Sequence, residues 1–189
     1  MSLKEYFYNS NGDEFLYHRL IQPFFYDEAY RYGDLENEIG FNINSRLRVV
    51  NNIFYSHQFS SFSSITTSVS YKDAMQSAIV THFYKNGFNG KDDSSYISTS
   101  FSRNLSKKYR LFGKIDYDFK NSYIKKWELG WFFFKKCWNY KISYKEDIRP
   151  VLTSAGSSSI KNRSILFKIE LVPLGGFEYS FKQRGEIVE

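Results

Sequence analysis

The sequence predicts an all-β protein, an antiparallel up-and-down meander of about ten strands. Three observations carry that expectation. From Tyr109 to Leu171 apolar or aromatic residues fill almost every second position, with charged or small residues between them. Aromatic residues make up 20% of the 189-residue chain, yet its mean hydropathy is negative. The segments between the apolar runs alternate between long polar stretches and tight turns. A period of two puts the apolar residues of a strand on one face. Successive strands of this kind make a sheet with one apolar face and one charged face, and the commonest large home for such a sheet is a β-barrel in an outer membrane.

The expected strands cover residues 14–22, 34–44, 47–56, 63–71, 74–85, 95–103, 107–119, 123–135, 138–148 and 163–171. The second alternates Leu35, Ile39, Phe41 and Ile43 with Glu36, Glu38, Asn42 and Asn44. The fourth is mostly Ser and Thr around Ile65, Val69 and Tyr71. The seventh sets Tyr109, Leu111, Ile115, Tyr117 and Phe119 against Arg110, Lys114, Asp116 and Asp118. The eighth carries Trp127, Leu129, Trp131 and Phe133. The ninth alternates Trp138, Tyr140, Ile142 and Tyr144 with Asn139, Lys141, Ser143 and Lys145, and the tenth carries Ile165, Phe167, Ile169 and Leu171. Most run about nine to thirteen residues, beyond the five or six of an ordinary globular strand and suited to crossing a bilayer at a tilt. Residues 1–13 read as a frayed end, 14–172 as the barrel section and 173–189 as a tail.

Connections 23–33, 86–94 and 150–162 are long and polar, whereas Ser45-Arg46, Lys72-Asp73, 104–106 and Lys136-Cys137 are tight. Segments 57–62 and 120–122 belong with the long side by parity but are short. Long loops at one end and short turns at the other are the pattern of outer-membrane barrels, whose short turns face the periplasm.

No run of about 18 apolar residues exists, so no spanning helix is expected. Residues 1–10 lack the apolar stretch and cleavage site of a signal peptide. An exported barrel needs one, so the chain is expected to be the later part of a longer protein or a truncated reading frame. The net charge of +6 fits nucleic acid, anionic lipid or phosphorylated sugars as partners.

Little in the chain points to catalysis. His18, His57 and His82 lie far apart without ligand spacing. Ser157, Ser158 and Ser159 lack a nucleophile turn, and Gly175-Gly176 lacks the context of a phosphate-binding loop. Asp116, Asp118 and Glu128 fall on the polar parity without forming a Ser/His/Asp set. The chain is therefore read as not an enzyme, with no metal and no cofactor. Basic and aromatic residues interleave over 107–127, but strand parity sends rings one way and cations the other, which argues against a base-stacking platform; no nucleic-acid partner is expected. In a membrane barrel Arg110, Lys114, Lys141, Lys145 and Lys168 face the lumen, and Trp127, Trp131, Trp138, Tyr140, Tyr144 and Phe167 face lipid. Cys137, the one cysteine, falls in a tight turn on the short-turn side. That end of a barrel meets an oxidising compartment, so a disulfide partner is expected in a missing segment or another protein.

The stretches Trp127-Glu128-Leu129-Gly130, Lys136-Cys137-Trp138-Asn139-Tyr140 and 162–171, followed by Leu174-Gly175, resemble the C-terminal end of the LptD (OstA) family of lipopolysaccharide-assembly proteins of the bacterial outer membrane. Arg19-Leu20-Ile21-Gln22-Pro23 and Gly33-Asp34-Leu35-Glu36 also look like that family's barrel strands. The resemblance spans the chain in architecture and 127–175 in motif. It implies the C-terminal section of a large barrel, lacking the N-terminal barrel strands and the periplasmic jellyroll. It implies a translocon that inserts lipopolysaccharide into the outer leaflet, with an LptE-like lipoprotein plug as partner. Arg163, Ile165, Phe167, Ile169 and Leu171 would then form the last strand, one side of a lateral gate. Cys137 would match the family's C-terminal cysteine, which bonds to an N-terminal one; Lys136 stands where some members carry a second cysteine. The family often ends soon after its last strand, whereas this chain continues from Phe177 to Glu189. Two other readings stand beside this one: a small self-closing outer-membrane barrel acting as a channel or enzyme, and a soluble lipid-binding barrel with the rings inside.

Overall fold

The computed structural model describes residues 1–26, 31–89, 92–153, 156–183 and 187–188, with the side chains of 150–153, 156–157 and 187–188 left aside. Parts of three expected loops (27–30, 90–91 and 154–155) and of the expected tail (184–186 and 189) lie outside the described residues. Within them the chain is all strand and turn, without a helix. The strands are β1 (Ser2–Tyr8), β2 (Glu14–Ile21), β3 (Leu35–Asn42), β4 (Leu47–Ser56), β5 (Ser61–Lys72), β6 (Gln76–Lys85), β7 (Ser94–Asn104), β8 (Tyr109–Asp118), β9 (Tyr123–Phe134), β10 (Trp138–Thr153), β11 (Gly156–Leu171), β12 (Gly175–Gln183) and β13 (Ile187–Val188). They pair in chain order from β1 to β12, and β13 pairs with β11. The pairing path ends at β1 and β12; no ladder joins these two among the described residues, so the hydrogen bonding does not close into a barrel.

The meander follows from local chemistry. The tight turns carry residues that hydrogen-bond their own backbone. The Asn9 side-chain oxygen accepts from the Asn11 and Asp13 amides, both at 2.9 Å, while Gly12 takes a φ of 82°. The Asn44 oxygen accepts likewise from Arg46 and Leu47 at 2.9 Å. Between such turns the β-branched and aromatic residues favour extended backbone.

Three segments differ from the sequence-based expectation. Residues 1–13, expected to be frayed, contain β1, which pairs along β2 from Ser2↔Ile21 to Tyr8↔Glu14. Its Tyr6-Phe7-Tyr8 run hides any period of two; pairing with β2, not amphipathicity, fixes it. The expected loop at 150–162 is mostly ladder. β10 and β11 are 16 residues each and pair continuously to Thr153↔Gly156, although Pro150 and the serines read as loop. The expected tail contains β12, which pairs with β11 from Arg163↔Gln183 to Leu171↔Gly175. Residues 163–171 are therefore not the last strand, and Arg163, Ile165, Phe167, Ile169 and Leu171 lie inside the sheet with neighbours on both sides.

The chain divides into two compact units: residues 1–73, 79–97 and 119–121, and residues 74–78, 98–118 and 122–189. In the first unit, the register of β2 to β5 places Leu16, Leu20, Leu35, Ile39, Phe41, Val49, Ile53, Ile65 and Val69 on one face. Arg19, Glu36, Glu38, Arg48, Asn52 and Ser68 share the other. In the second unit, β8 to β12 likewise have one mainly aromatic and aliphatic face and one mainly charged face. Neither unit builds an ordinary core: among the described residues Phe133, at 9% exposure, is the one buried hydrophobic side chain apart from glycine backbone. A water-soluble domain of this length has ample surface to bury and covers its apolar face with a second layer.

Candidate functional site

The site is the pair of faces of the second unit. On one face the ladders align Trp127, Leu129, Trp131 and Phe133 of β9 with Trp138, Tyr140, Ile142 and Tyr144 of β10. These align with Ile165, Phe167, Ile169 and Leu171 of β11, and they in turn with Phe177, Tyr179 and Phe181 of β12. All six aromatic residues assigned to lipid thus share this face. Cross-strand ring contacts run through it: Trp127 to Tyr144 at 5.0 Å, Phe133 to Tyr140 at 5.1 Å and Tyr140 to Phe167 at 6.3 Å. The face is open. Trp131 is 47% exposed, Ile165 50% and Phe181 69%. Soluble monomers rarely show a contiguous apolar patch beyond a few hundred Å².

The opposite face carries Arg110 and Lys114 of β8, Glu128 of β9, Lys141, Lys145 and Asp147 of β10, and Lys168 of β11. The five basic residues expected to share a face do so. Most of the charge here is locally matched. The Lys141 ammonium donates to Glu128 at 3.1 Å, Lys114 lies 3.5 Å from Asp116, Lys145 is 3.0 Å from Asp147, and Arg149 Nε donates to Asp147 at 2.6 Å. Ser98 donates to Asp116 at 2.6 Å. Buried positions occur on both faces: Gly130 and Ser143, the latter 2% exposed, pair across β9 and β10 among the charges, whereas Gly113 and Phe133 are buried on the aromatic face.

One feature escaped sequence reasoning. Phe112, Phe132 and Phe134 sit on the charged face, in line with Arg110 and Lys141. Lys141 Nζ lies 4.6 Å from the Phe112 ring centre, and the Arg110 guanidinium 5.2 Å from that of Phe134. Phe112 and Phe132 are 5.0 Å apart. The parity argument that keeps rings and cations on opposite faces fails at these positions, so a mixed basic and aromatic surface exists here. The signal was the Phe132-Phe133-Phe134 run, which by parity must send two rings to the face opposite Phe133.

Beyond the apolar band a charge cluster takes over the same face. Glu146 accepts from Lys161 at 2.8 Å, Arg163 at 3.1 Å and the Trp127 indole at 3.2 Å. It lies past Tyr144, opposite Trp127 at the rim of the apolar band. The hydrogen bond from Lys161 foremost, with those from Arg163 and Trp127, outweighs the opposing effect of desolvation and holds this carboxyl below its ordinary range. A carboxyl depressed in the folded state stabilises it above the unfolded value and loses that contribution as pH falls through the folded value. Amide exchange in the β10–β11 extension is therefore expected to accelerate as pH drops below the ordinary Glu range, after correction for intrinsic exchange. The Glu146→Gln variant should show the faster exchange already at neutral pH.

In the first unit the polar face has its own cluster. Arg19 Nη2 donates to Glu36 at 2.6 Å and Glu38 at 2.8 Å, and the Tyr17 hydroxyl donates to Glu38 at 2.8 Å. Its apolar face is interrupted by a polar row. Glu5 lies 3.5 Å from His18, whose other ring nitrogen is 3.0 Å from Asn37 Oδ1, and Asn51 donates to Thr67 at 2.7 Å.

Cys137 is exposed in the turn between β9 and β10. Among the described residues no group of three His, Cys, Asp or Glu side chains is placed to hold a metal ion. No helix is long and apolar enough to cross a membrane, a statement that leaves strand-crossing proteins untouched. No protein-family model matches the chain, and no curated protein matches it.

Proposed function

We propose that the chain is a section of an outer-membrane β-barrel wall and takes part in inserting lipopolysaccharide into the outer leaflet. The observation that carries the barrel part is the second unit's sheet, whose aromatic face lies uncovered while its ion-paired face is polar. A bilayer supplies the missing apolar layer, and a watery lumen suits the other side. The lipopolysaccharide part rests on the motif resemblance over 127–175. In that reading Arg110, Lys114, Lys141, Lys145 and Lys168 meet the phosphorylated sugars of the headgroup, while the acyl chains leave into lipid past the open edge. That edge is β12, since β11 is paired on both sides.

Two measurements test the two parts. With Trp127 and Trp138 changed to Phe, Trp131 is the one remaining tryptophan. Reconstituted in vesicles with brominated acyl chains, it is expected to be strongly quenched; an unquenched Trp131 sinks the membrane reading. A photo-crosslinker in place of Lys114 or Lys141 is expected to capture lipopolysaccharide in cells. Failure of capture with Trp131 still quenched removes the lipopolysaccharide role and leaves the barrel wall.

A further inference from the structure

The tight turns at one end of the second unit carry a cluster that neither the lumen nor the lipid band accounts for. Turn 105–108 contributes Lys107 and Lys108, and turn 135–137 contributes Lys135 and Lys136. The two turns are tied by the Phe134 amide donating to the Lys108 carbonyl at 2.8 Å. All four lysines are exposed, and together with Cys137 and Trp138 they line a hollow of about 630 Å³ with no acidic side chain in its wall. Among the described residues none of the four makes an ion pair, in contrast to Lys114, Lys141 and Lys145. Lys135 instead lies over two rings, 5.1 Å from the Trp138 centre and 5.9 Å from that of Phe133.

A second feature coincides with the first. The same end projects apolar side chains that nothing covers. Leu105 is 61% exposed beside Lys107, and turn 172–174 carries Val172 at 52% and Leu174 at 86%. That turn adjoins the lysines, because the Val172 amide donates to the Cys137 carbonyl at 2.9 Å. Free cations, protruding aliphatic side chains and an indole at the last rung of an apolar band are the components of a membrane interface. Aliphatic groups dip below the headgroups, Trp sits at their level, and lysine stems reach along the apolar surface to put their charge among phosphates.

We propose that this rim docks on anionic phospholipid, with the ammonium groups of Lys107, Lys108, Lys135 and Lys136 on the headgroup phosphates of the adjoining leaflet. The rim thereby fixes the depth of the strands in the bilayer. The inference rests on the reading of the apolar face as lipid-facing and adds a lipid class and a level.

Cys137 provides the probe, since it is the one cysteine and is exposed beside the lysines. The full chain, carrying an environment-sensitive fluorophore there, is titrated in neutral detergent micelles with phosphatidylglycerol or phosphatidylcholine. Phosphatidylglycerol is expected to give a saturable blue shift and phosphatidylcholine none. The Lys107→Glu, Lys108→Glu, Lys136→Glu variant alters exposed turn positions outside the ladders and should fold; it is expected to bind phosphatidylglycerol about 100-fold more weakly, roughly fivefold per lysine. Equal response to the two lipids, or an unchanged response in the variant, overturns the proposal. Displacement by inorganic phosphate or by an acidic peptide at the concentration of the lipid also overturns it, in favour of a soluble anion or an acidic protein. Trp131 quenching in brominated vesicles, measured in parallel on the Trp127→Phe, Trp138→Phe chain, separates the two readings. Lost phosphatidylglycerol dependence with Trp131 quenched defeats the rim alone, whereas unquenched Trp131 defeats the lipid-facing sheet and the rim with it.

Discussion

Ile142→Arg is expected to lower the folding stability of the chain in phospholipid vesicles by about 2–4 kcal/mol, the cost of a cation near the middle of the band that the proposed barrel wall turns to lipid. Ile142 is the position to choose because it is surrounded. It pairs with Trp131 on β9 and Phe167 on β11, and each of those strands carries further apolar residues above and below. An arginine there cannot reach the Glu146 cluster without crossing the Tyr144 row, and no carboxylate shares the face nearer the turns until the chain leaves the band. The matched control is Ser164→Arg, one position from Ile165 but on the polar face, where its neighbours are Lys145 and Lys182. That change adds repulsion at a solvated surface and should cost well under 1 kcal/mol. Denaturant titrations of both variants in vesicles give the contrast. Equal losses at the two sites would mean that the faces do not see different solvents, and the barrel-wall reading would fall.

Much of this arrangement was legible in the sequence because alternation is a local signal. Once Trp127 to Phe133 and Trp138 to Tyr144 are strands, parity alone puts their rings together, and the tight Lys136-Cys137 turn forces the two strands to be neighbours. Glu128 then falls opposite Lys145 without further information, whereas its ion pair with Lys141, four residues nearer the turn, depends on side-chain reach. What escaped depends on pairing rather than on pattern. β1 has three aromatics in a row, and only its ladder to β2 shows that the chain there is extended. β12 does alternate, Phe177, Tyr179 and Phe181 against Glu178, Ser180 and Lys182, but its glycines and its position after an apparent final strand disguised it. The Phe112, Phe132 and Phe134 cluster escaped for a different reason. Residue type alone sends every aromatic to the apolar face, whereas the register sorts them by position.

The two units also differ in how well their apolar faces suit lipid. The second is unbroken from β9 to β12 between its lysine turns and the Glu146 cluster. The first carries Glu5, His18, Asn37, Asn51 and Thr67 across its middle, and these groups bond one another in two sets. Hydrogen-bonded polar pairs are tolerable in an apolar setting where isolated ones are not. The Glu5 and His18 pair nevertheless makes β1 and β2 the less favourable part of the sheet to present to hydrocarbon, which is why Trp131 and Ile142, rather than any residue of the first unit, carry the tests of the membrane reading.

The second large effect is expected at a glycine. Gly130 sits on the polar face opposite Ser143, and a Cβ built there overlaps the Ile142 carbonyl oxygen, meets Ser143 Cβ at 2.5 Å and lies 2.8 Å from the Phe112 ring. The first of these contacts is backbone in the adjacent ladder strand and cannot rotate away. Relief requires the β9–β10 pairing to shift, which disturbs Phe132 against Lys141 and Glu128 against Lys145 on either side. Gly130→Ala is therefore expected to cost about 3 kcal/mol, the upper part of the range for overpacking. Gly40 makes the comparison. There the added Cβ overlaps the Tyr17 ring, a side chain that can turn aside at the expense of its hydrogen bond to Glu38 and its contact with Arg48. Gly40→Ala should thus cost about 1 kcal/mol, the value of one such bond. Denaturant midpoints of the two variants decide the point: a Gly130→Ala loss no larger than that of Gly40→Ala would mean that β9 and β10 have room to separate at Gly130. The close contact of ladder backbone, Ser143 and Phe112 would then not be what holds the polar face of this sheet together.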